Sequence, residues 1–343
     1  MSPAMFGTAS ADLEAGARNA VEVCLAIQPD ERVALIADEA SGDVAASIAA
    51  ALDGVGAPWH GVVIERVSGR PMTVAPAAVL EALEEADAGI LCVQPRQGEL
   101  AARMAIVSVV ERRGIRYAHM VGVTPQIMQQ GMRADYRLVD RLSQRLCERM
   151  PAAERLRVET PGGTSLTATF DPNYTWVKTS GLINRRYWSN LPAGEVFTTP
   201  KSVDGVFVCD ATAGDYFGAK YGDLRATPLT LQISGGRLQA AHCARKDLEQ
   251  EFWNYCHTDE HSDRVGELAF GTNIALSDMI GVLLQDEKVP GVHLAFGDPY
   301  GSQTGAPWKS RTHVDVLTRA CDVWIDDEQV IGDGRYLLDR FGL

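Results

Sequence analysis

The run Arg32–Leu52, RVALIADEASGDVAASIAAAL, decides the architecture of the first part of the chain. Its opening, Arg32–Asp38, is a short apolar segment closed by charges, the pattern of a strand buried on both faces. After a few polar residues, Gly42–Leu52 reads as an Ala-rich helix. The same alternation extends in both directions. His60–Glu65, Ala88–Gln94 and Arg116–Val123 read as strands; Ala11–Ile27, Pro76–Ala86, Glu99–Arg113, Pro125–Gln130 and Ala134–Arg149 read as helices. Short apolar strands separated by helices predict a parallel sheet covered on both faces. Residues 1–150 are therefore expected to form a Rossmann-like α/β scaffold domain. The loop after the first strand, Asp38–Asp43, carries neither GxGxxG nor GxxxxGK[ST], and its acids would repel phosphate, so a scaffold or dimerisation role is expected instead of nucleotide binding.

The pattern changes after Pro151. Arg155–Glu159 and Thr164–Phe170 flank a Pro-Gly-Gly turn, and Leu229–Ser234 and Leu238–His242 flank Gly235-Gly236, so both pairs read as hairpins. Helices are expected at Lys246–Cys256 and Asn273–Leu284, and a last hairpin turning at Asp327-Glu328. Residues 151–343 are expected to form an α+β domain on a mixed, largely antiparallel sheet, and to carry the catalytic metal site.

The 343 residues have a net charge of −13, which argues against nucleic acid or an anionic membrane as the main partner. No apolar run approaches the roughly 18 residues of a membrane span. The first twenty residues lack a basic segment followed by a hydrophobic one, so a cytoplasmic location is expected. The seven cysteines are scattered without a CxxC pair, and read as reduced, small buried hydrophobes.

Chemistry gathers near the C-terminus in Asp286–Asp315, DEKVPGVHLAFGDPYGSQTGAPWKSRTHVD. On an extended strand, His313 and Asp315 point to the same face, which makes them a natural half of a metal site. The acidic pair Asp286-Glu287, His293 in an apolar run, and Tyr300 in a Gly/Pro-rich loop precede them. Upstream, Glu195 lies in LPAGEVFTTP and Glu267 in VGELAFGTN. Singly, each has an ordinary alternative: a solvated loop carboxylate, a hydrogen-bonded core histidine, a packing tyrosine. Together the carboxylates and imidazoles suit Zn²⁺, Mn²⁺, Co²⁺ or Mg²⁺. With five or more ligands, two ions about 3.5–4 Å apart sharing one carboxylate are the natural arrangement. His257 and His261, beside Asp259, Glu260 and Asp263, would form a second cluster only on a helix. Arg185, Arg186, Trp188, Trp308, Lys309 and Arg311 flank the candidates and suggest a small, anionic substrate, with surface charge as the alternative.

The ordered set NLPxGEVFTTP, GELAFGTN, DEK…GxHLAFGDPY and HxD resembles the thermophilic metalloaminopeptidase family, the group that includes aminopeptidase T. The resemblance covers most of the chain. It implies two divalent metals held by Glu195, Glu267, His293, His313 and Asp315, with Tyr300 at the site. Glu287 matches more loosely, its spacing to His293 being one residue longer. The short segment between His293 and His313 approaches a related branch, the 2,5-dihydroxypyridine dioxygenases, which use one Fe(II). In that branch a histidine stands where Glu267 is, and the presence of Glu195 and His293 favours the two-metal reading here. The implied activity is hydrolysis of an amide or related C–N bond in a small molecule or short peptide, with Tyr300, Glu195 and Glu287 in catalytic roles, in a homodimer. An Fe(II) ring-opening dioxygenase is the alternative, and a non-catalytic binding protein on a peptidase scaffold the third reading.

Overall fold

The structure, a computed structural model, describes residues 2–185 and 188–343. Arg186 lies outside the described residues. The chain divides into two compact units, Met1–Arg137 with Gly181–Ala193, and Leu138–Ser180 with Gly194–Leu343. The change of sequence pattern predicts a single cut at residue 150; the segment 181–193 belongs to the first unit because its two-residue strand joins that unit's sheet.

In the first unit, β1 (Val33–Ala37), β2 (Trp59–Val63), β3 (Ala88–Val93), β4 (Arg116–Val121) and β8 (Ser189–Asn190) form one parallel sheet in the order β2-β1-β3-β4-β8. All five residues of β1 and all six of β3 are buried, as expected of strands covered on both faces. The helix Gly42–Val55 ends at Gly56, and Leu100–Arg113 at Gly114, both left-handed caps. The expected helix over Ala11–Ile27 is an α-helix over Ala11–Arg18 continued by the wider turns of Asn19–Cys24.

Strand order reverses between β1 and β3, and in open α/β sheets ligands bind at the carboxyl ends of strands flanking such a point. Here the protein fills that position itself. Asp38, directly after β1, accepts from the backbone N–H of Gln94, directly after β3, at 2.7 Å, and from Arg70 at 2.9 Å. Arg70 is bidentate to Glu99, and the three side chains are 3%, 0% and 0% exposed for Arg70, Asp38 and Glu99. Removing one partner of such a cluster leaves uncompensated buried charge. Arg70→Met is expected to cost about 3–5 kcal/mol of stability, read by denaturant unfolding, with metal binding by the folded protein retained. A cost within the roughly 0–1 kcal/mol of an exposed ion pair would contradict this account.

The second unit holds two antiparallel sheets. The larger comprises β5 (Arg155–Glu159), β6 (Ser165–Phe170), β10 (Pro200–Cys209), β11 (Leu229–Ser234), β12 (Arg237–His242), β16 (Asp322–Ile325), β17 (Glu328–Gly332) and β18 (Arg335–Tyr336), in the order β12-β11-β10-β6-β5-β16-β17-β18. The smaller comprises β7 (Val177–Thr179), β9 (Glu195–Thr198), β13 (Val265–Gly271), β14 (Gly291–Gly297) and β15 (His313–Val316), in the order β15-β14-β13-β9-β7. One core joins them: Leu156, Leu166 and Phe207 from the larger sheet pack in the same cluster as Val196, Leu268, Phe270, Leu294, Phe296, Val314 and Val316 from the smaller.

Two expected elements differ. The last hairpin turns at Asp326-Asp327, with Ile325 paired to Glu328 and Asp326 taking the left-handed conformation at φ +55°. The helix expected over Asn273–Leu284 is a loop, with a single helical turn at Leu283–Asp286. Asp286 dictates this: its buried carboxylate accepts from Ile280 N at 2.7 Å, Gly281 N at 2.8 Å and the Thr212 hydroxyl at 2.7 Å. Backbone donors committed to that side chain are diverted from a helical ladder.

Candidate metal centre

The smaller sheet has two faces with different chemistry. Alternation sends Val196, Leu268, Phe270, Leu294, Phe296, Val314 and Val316 into the core. It sends Glu195, Phe197, Glu267, Ala269, His293, Ala295, His313 and Asp315 to the other face. Register then aligns them across strands: Glu267 is opposite Ala295, which is opposite Asp315; Phe197 is opposite Ala269, which is opposite His293; Glu195 is opposite Gly271. A register shift between Val265 and Glu267 admits Gly266 as an extra residue and keeps Glu267 on the polar face. The residues between the ligand candidates, Ala269, Ala295 and Gly271, are small. A Cβ on Gly297, at φ +109°, would meet the Thr312 carbonyl oxygen at 2.1 Å, so only glycine lets the loop before His313 come this close.

All seven residues singled out from the sequence lie in the second unit, and the structure brings them together. Glu195, Glu267 and His293 each offer a ligand atom within 4.8 Å of the others, and so do Glu287, His293 and Asp315. His313 Nε2 is 3.5 Å from Asp315 Oδ1 and 3.9 Å from Glu267 Oε2. His313 Nδ1 stands 3.0 Å from the Asp298 carbonyl oxygen, to which it donates, and this turns Nε2 towards the carboxylates. Tyr300 sits at φ +50°, a left-handed conformation rare for a bulky residue, with its ring 4.5 Å from that of His313 and 6.0 Å from that of Phe197. Thr304 and Thr199 both donate to the Pro299 carbonyl and fasten this turn.

The acidic pair divides its work. Asp286 serves the loop described above, while Glu287 turns to the site and pairs with Lys288 at 2.7 Å. Lys288 is the residue that sequence reasoning misses. Its side chain is only 2% exposed, and its ammonium also lies 2.8 Å from Glu195 Oε2. The one available signal is its place in the DEK triplet, where a lysine beside the acids has the same sequence appearance as a solvated charge.

Electrostatics show how crowded the face is. Burial, followed by the charge of Glu195, pushes Glu267 up to about 8. Burial raises Glu287 to about 7 against the opposing charge of Lys288, with Glu195 and Asp315 adding to the rise. Burial would also raise Glu195, but the charges of Lys288 and His293 hold it at about 2. Burial opposes the imidazolium of His313, yet Asp315 and Glu267 lift it to about 10.

Two observations test whether a divalent cation fits. His293 Nε2 is buried and makes no hydrogen bond, although Glu195 Oε1 is 3.2 Å and Glu267 Oε1 3.8 Å away. Among the described residues none donates a hydrogen bond to the Glu267 carboxylate. An unsatisfied imidazole nitrogen beside an unsatisfied carboxylate, with no thiolate nearby, is a donor set for a hard or borderline divalent ion.

Other sequence candidates fall elsewhere. His257 and His261 lie in turns and not on a helix; His257 stacks on Trp253, and the Asp259 carboxylate accepts from Ser310 Oγ and from the backbone N–H of His261 and Arg311. Trp308 is buried against Arg264 and donates to the Gly297 carbonyl. The Arg311 guanidinium donates to the Thr258 carbonyl. In the first unit, Trp188 donates to Glu111.

Residues 126–317, more than half of the chain, match the thermophilic metalloprotease (M29) family, and the chain belongs to it. Its class is therefore that of the metal-dependent hydrolases. Two solved structures share the fold at 18% identity. 2,5-Dihydroxypyridine dioxygenase from Pseudomonas putida KT2440 aligns over 97% of this chain and 100% of its own, with a TM-score of 0.69. Wild-type AmpT from Thermus thermophilus aligns over 95% of this chain and 99% of its own, with a TM-score of 0.67. No curated protein matches the chain.

The pKa pattern sets the pH dependence of the metal-free protein. Between about pH 4.5 and 8, the folded state keeps protons on Glu267 and Glu287 that the unfolded chain has released, so stability falls as pH rises. The contribution of His313 is complete below pH 6.5 and is lost as pH climbs towards 10, in the same direction. Glu195 acts oppositely: its contribution holds above pH 4.5 and is lost as pH falls towards 2. The melting temperature in EDTA should therefore decline from about pH 5 to 8, and saturating Mn²⁺ should raise it by an increment that grows with pH. A metal increment independent of pH would contradict this charge pattern.

Proposed function

We propose that the protein is a hydrolase of amide or related C–N bonds, aminopeptidase-like or acting as an amidase on a small substrate, with two divalent ions at this site. One observation carries the reading. Glu195, Glu267 and His293 form one donor set and Glu287, His293 and Asp315 a second, while His313 Nε2 lies 3.9 Å from the Glu267 carboxylate and 3.5 Å from that of Asp315. His313 and Asp315 would hold one ion, Glu195 and His293 the other, and Glu267 both. Bound ions of this kind lower the pKa of a water and polarise a carbonyl.

The chain's own residues supply the rest. Asp298 holds the proton on His313 Nδ1, so Nε2 is the nitrogen that would give up its proton and ligate an ion. Tyr300, 40% exposed on its turn, is accessible to a substrate and can donate its hydroxyl proton to the oxyanion of a tetrahedral intermediate. Glu287, held by Lys288 and close to His293 and Asp315, is placed to carry a proton from the attacking water to the leaving amine. A homodimer remains the expected assembly.

A panel of aminoacyl anilides and small amides, assayed with Zn²⁺, Co²⁺ and Mn²⁺, tests the function. Metal-dependent hydrolysis is expected, with Glu267→Ala losing more than about 100-fold in metal affinity, beyond what loss of an outer-sphere partner costs. Tyr300→Phe should keep the metal and lose about 10²–10³-fold in kcat. Oxygen consumption with a dihydroxypyridine and Fe(II), without hydrolysis of any amide, would replace this reading with the dioxygenase one.

A further inference from the structure

We propose that Lys288 is a positioning residue that acts as a resident cation of the site, making its two halves unequal towards divalent ions. This rests on the two-ion reading above and goes beyond it by ranking the halves. A lysine is almost never fully buried unless paired, and Lys288 is paired twice, with Glu195 Oε2 at 2.8 Å and Glu287 Oε1 at 2.7 Å.

The fold delivers it there. The Lys288 backbone closes the turn at Leu283–Asp286, its N–H donating to the Gln285 carbonyl and its own carbonyl accepting from Asn273 N. That backbone lies directly against Gly271, where an added Cβ would meet the Lys288 carbonyl carbon at 2.8 Å and the Val289 carbonyl oxygen at 2.0 Å. Gly271 is the residue paired with Glu195 across β13 and β9. A glycine in that row therefore lets the chain press onto the sheet and bring the ammonium to Glu195.

The consequence is asymmetry. Glu195 has one oxygen engaged by the ammonium and offers Oε1 towards His293 and the metal. Glu287 shares the same fixed positive charge. Glu267 and Asp315 have no lysine or arginine within ion-pairing distance among the described residues, only the imidazoles of His293 and His313. A first divalent ion meets the carboxylates of Glu267 and Asp315 beside the His313 imidazole, whose proton it can displace, and no ammonium or guanidinium. A second, at Glu195 and His293, approaches against the field of the ammonium and is held more weakly.

Calorimetric titration of Mn²⁺ into metal-stripped, full-length protein tests this. Wild type is expected to bind in two steps at least about tenfold apart, and Lys288→Met to tighten the second step by about tenfold or more while moving the first less. The double variant Lys288→Met/Glu287→Gln keeps the net charge of the site and guards against a folding defect from an unpaired carboxylate. It should also tighten the second step, because Glu195 is released. A second step unchanged within about twofold in both variants would overturn the role of Lys288 while leaving the two-ion reading intact. One ion on wild type and two on Lys288→Met would support Lys288 and overturn the two-ion reading of the native protein.

Discussion

Four carboxylates, Glu195, Glu267, Glu287 and Asp315, share one face of a five-stranded sheet with a single buried lysine and two imidazoles. Confinement of like charges out of water is costly unless cations accompany them, and the protein's own cations cover only part of the cluster. Lys288 satisfies Glu195 and Glu287; Glu267 is left without a hydrogen-bond donor among the described residues. Much of the second unit can be understood from that constraint. Its two sheets share a large apolar core that holds the strands in register, and glycines at 271 and 297 let neighbouring chain pack close against the strands that carry the ligand candidates.

A good deal of this is legible in the sequence, for definite reasons. Period-two alternation in Gly291–Gly297 and His313–Val316 fixes which residues face the core, so spacing alone assigns His313 and Asp315 to one face. Buried parallel strands leave equally clear apolar runs at Val33–Ala37 and Ala88–Val93. What stays hidden depends on contacts remote in sequence. The burial of Lys288 and Arg70 leaves no mark in the sequence, because nothing local distinguishes a buried cation from a solvated one. The loop over Asn273–Leu284 has helical composition, and only the Asp286 carboxylate, reaching back to Ile280 and Gly281, shows why a helix does not form. The return of residues 181–193 to the first unit likewise follows from a two-residue pairing of β8 with β4 that no periodicity can announce.

The same fold is found in a dihydroxypyridine dioxygenase and in AmpT, so architecture alone does not choose the reaction. Beside the donors on the sheet face runs the segment between Tyr300 and His313. That segment is well anchored: Trp308 donates to Gly297 and stacks with Arg264, and Ser310 donates to Asp259.

The central claim is that the Glu267 carboxylate is the focus of divalent-metal binding on this face. Anomalous diffraction from crystals grown without chelator and soaked in Mn²⁺ tests it most directly. The account predicts a peak within about 2.0–2.3 Å of a Glu267 oxygen and of His313 Nε2, and a second, weaker one sharing Glu267 with His293. Peaks confined to other parts of the molecule, or a fully occupied ion that leaves Glu267 uncoordinated, would contradict it.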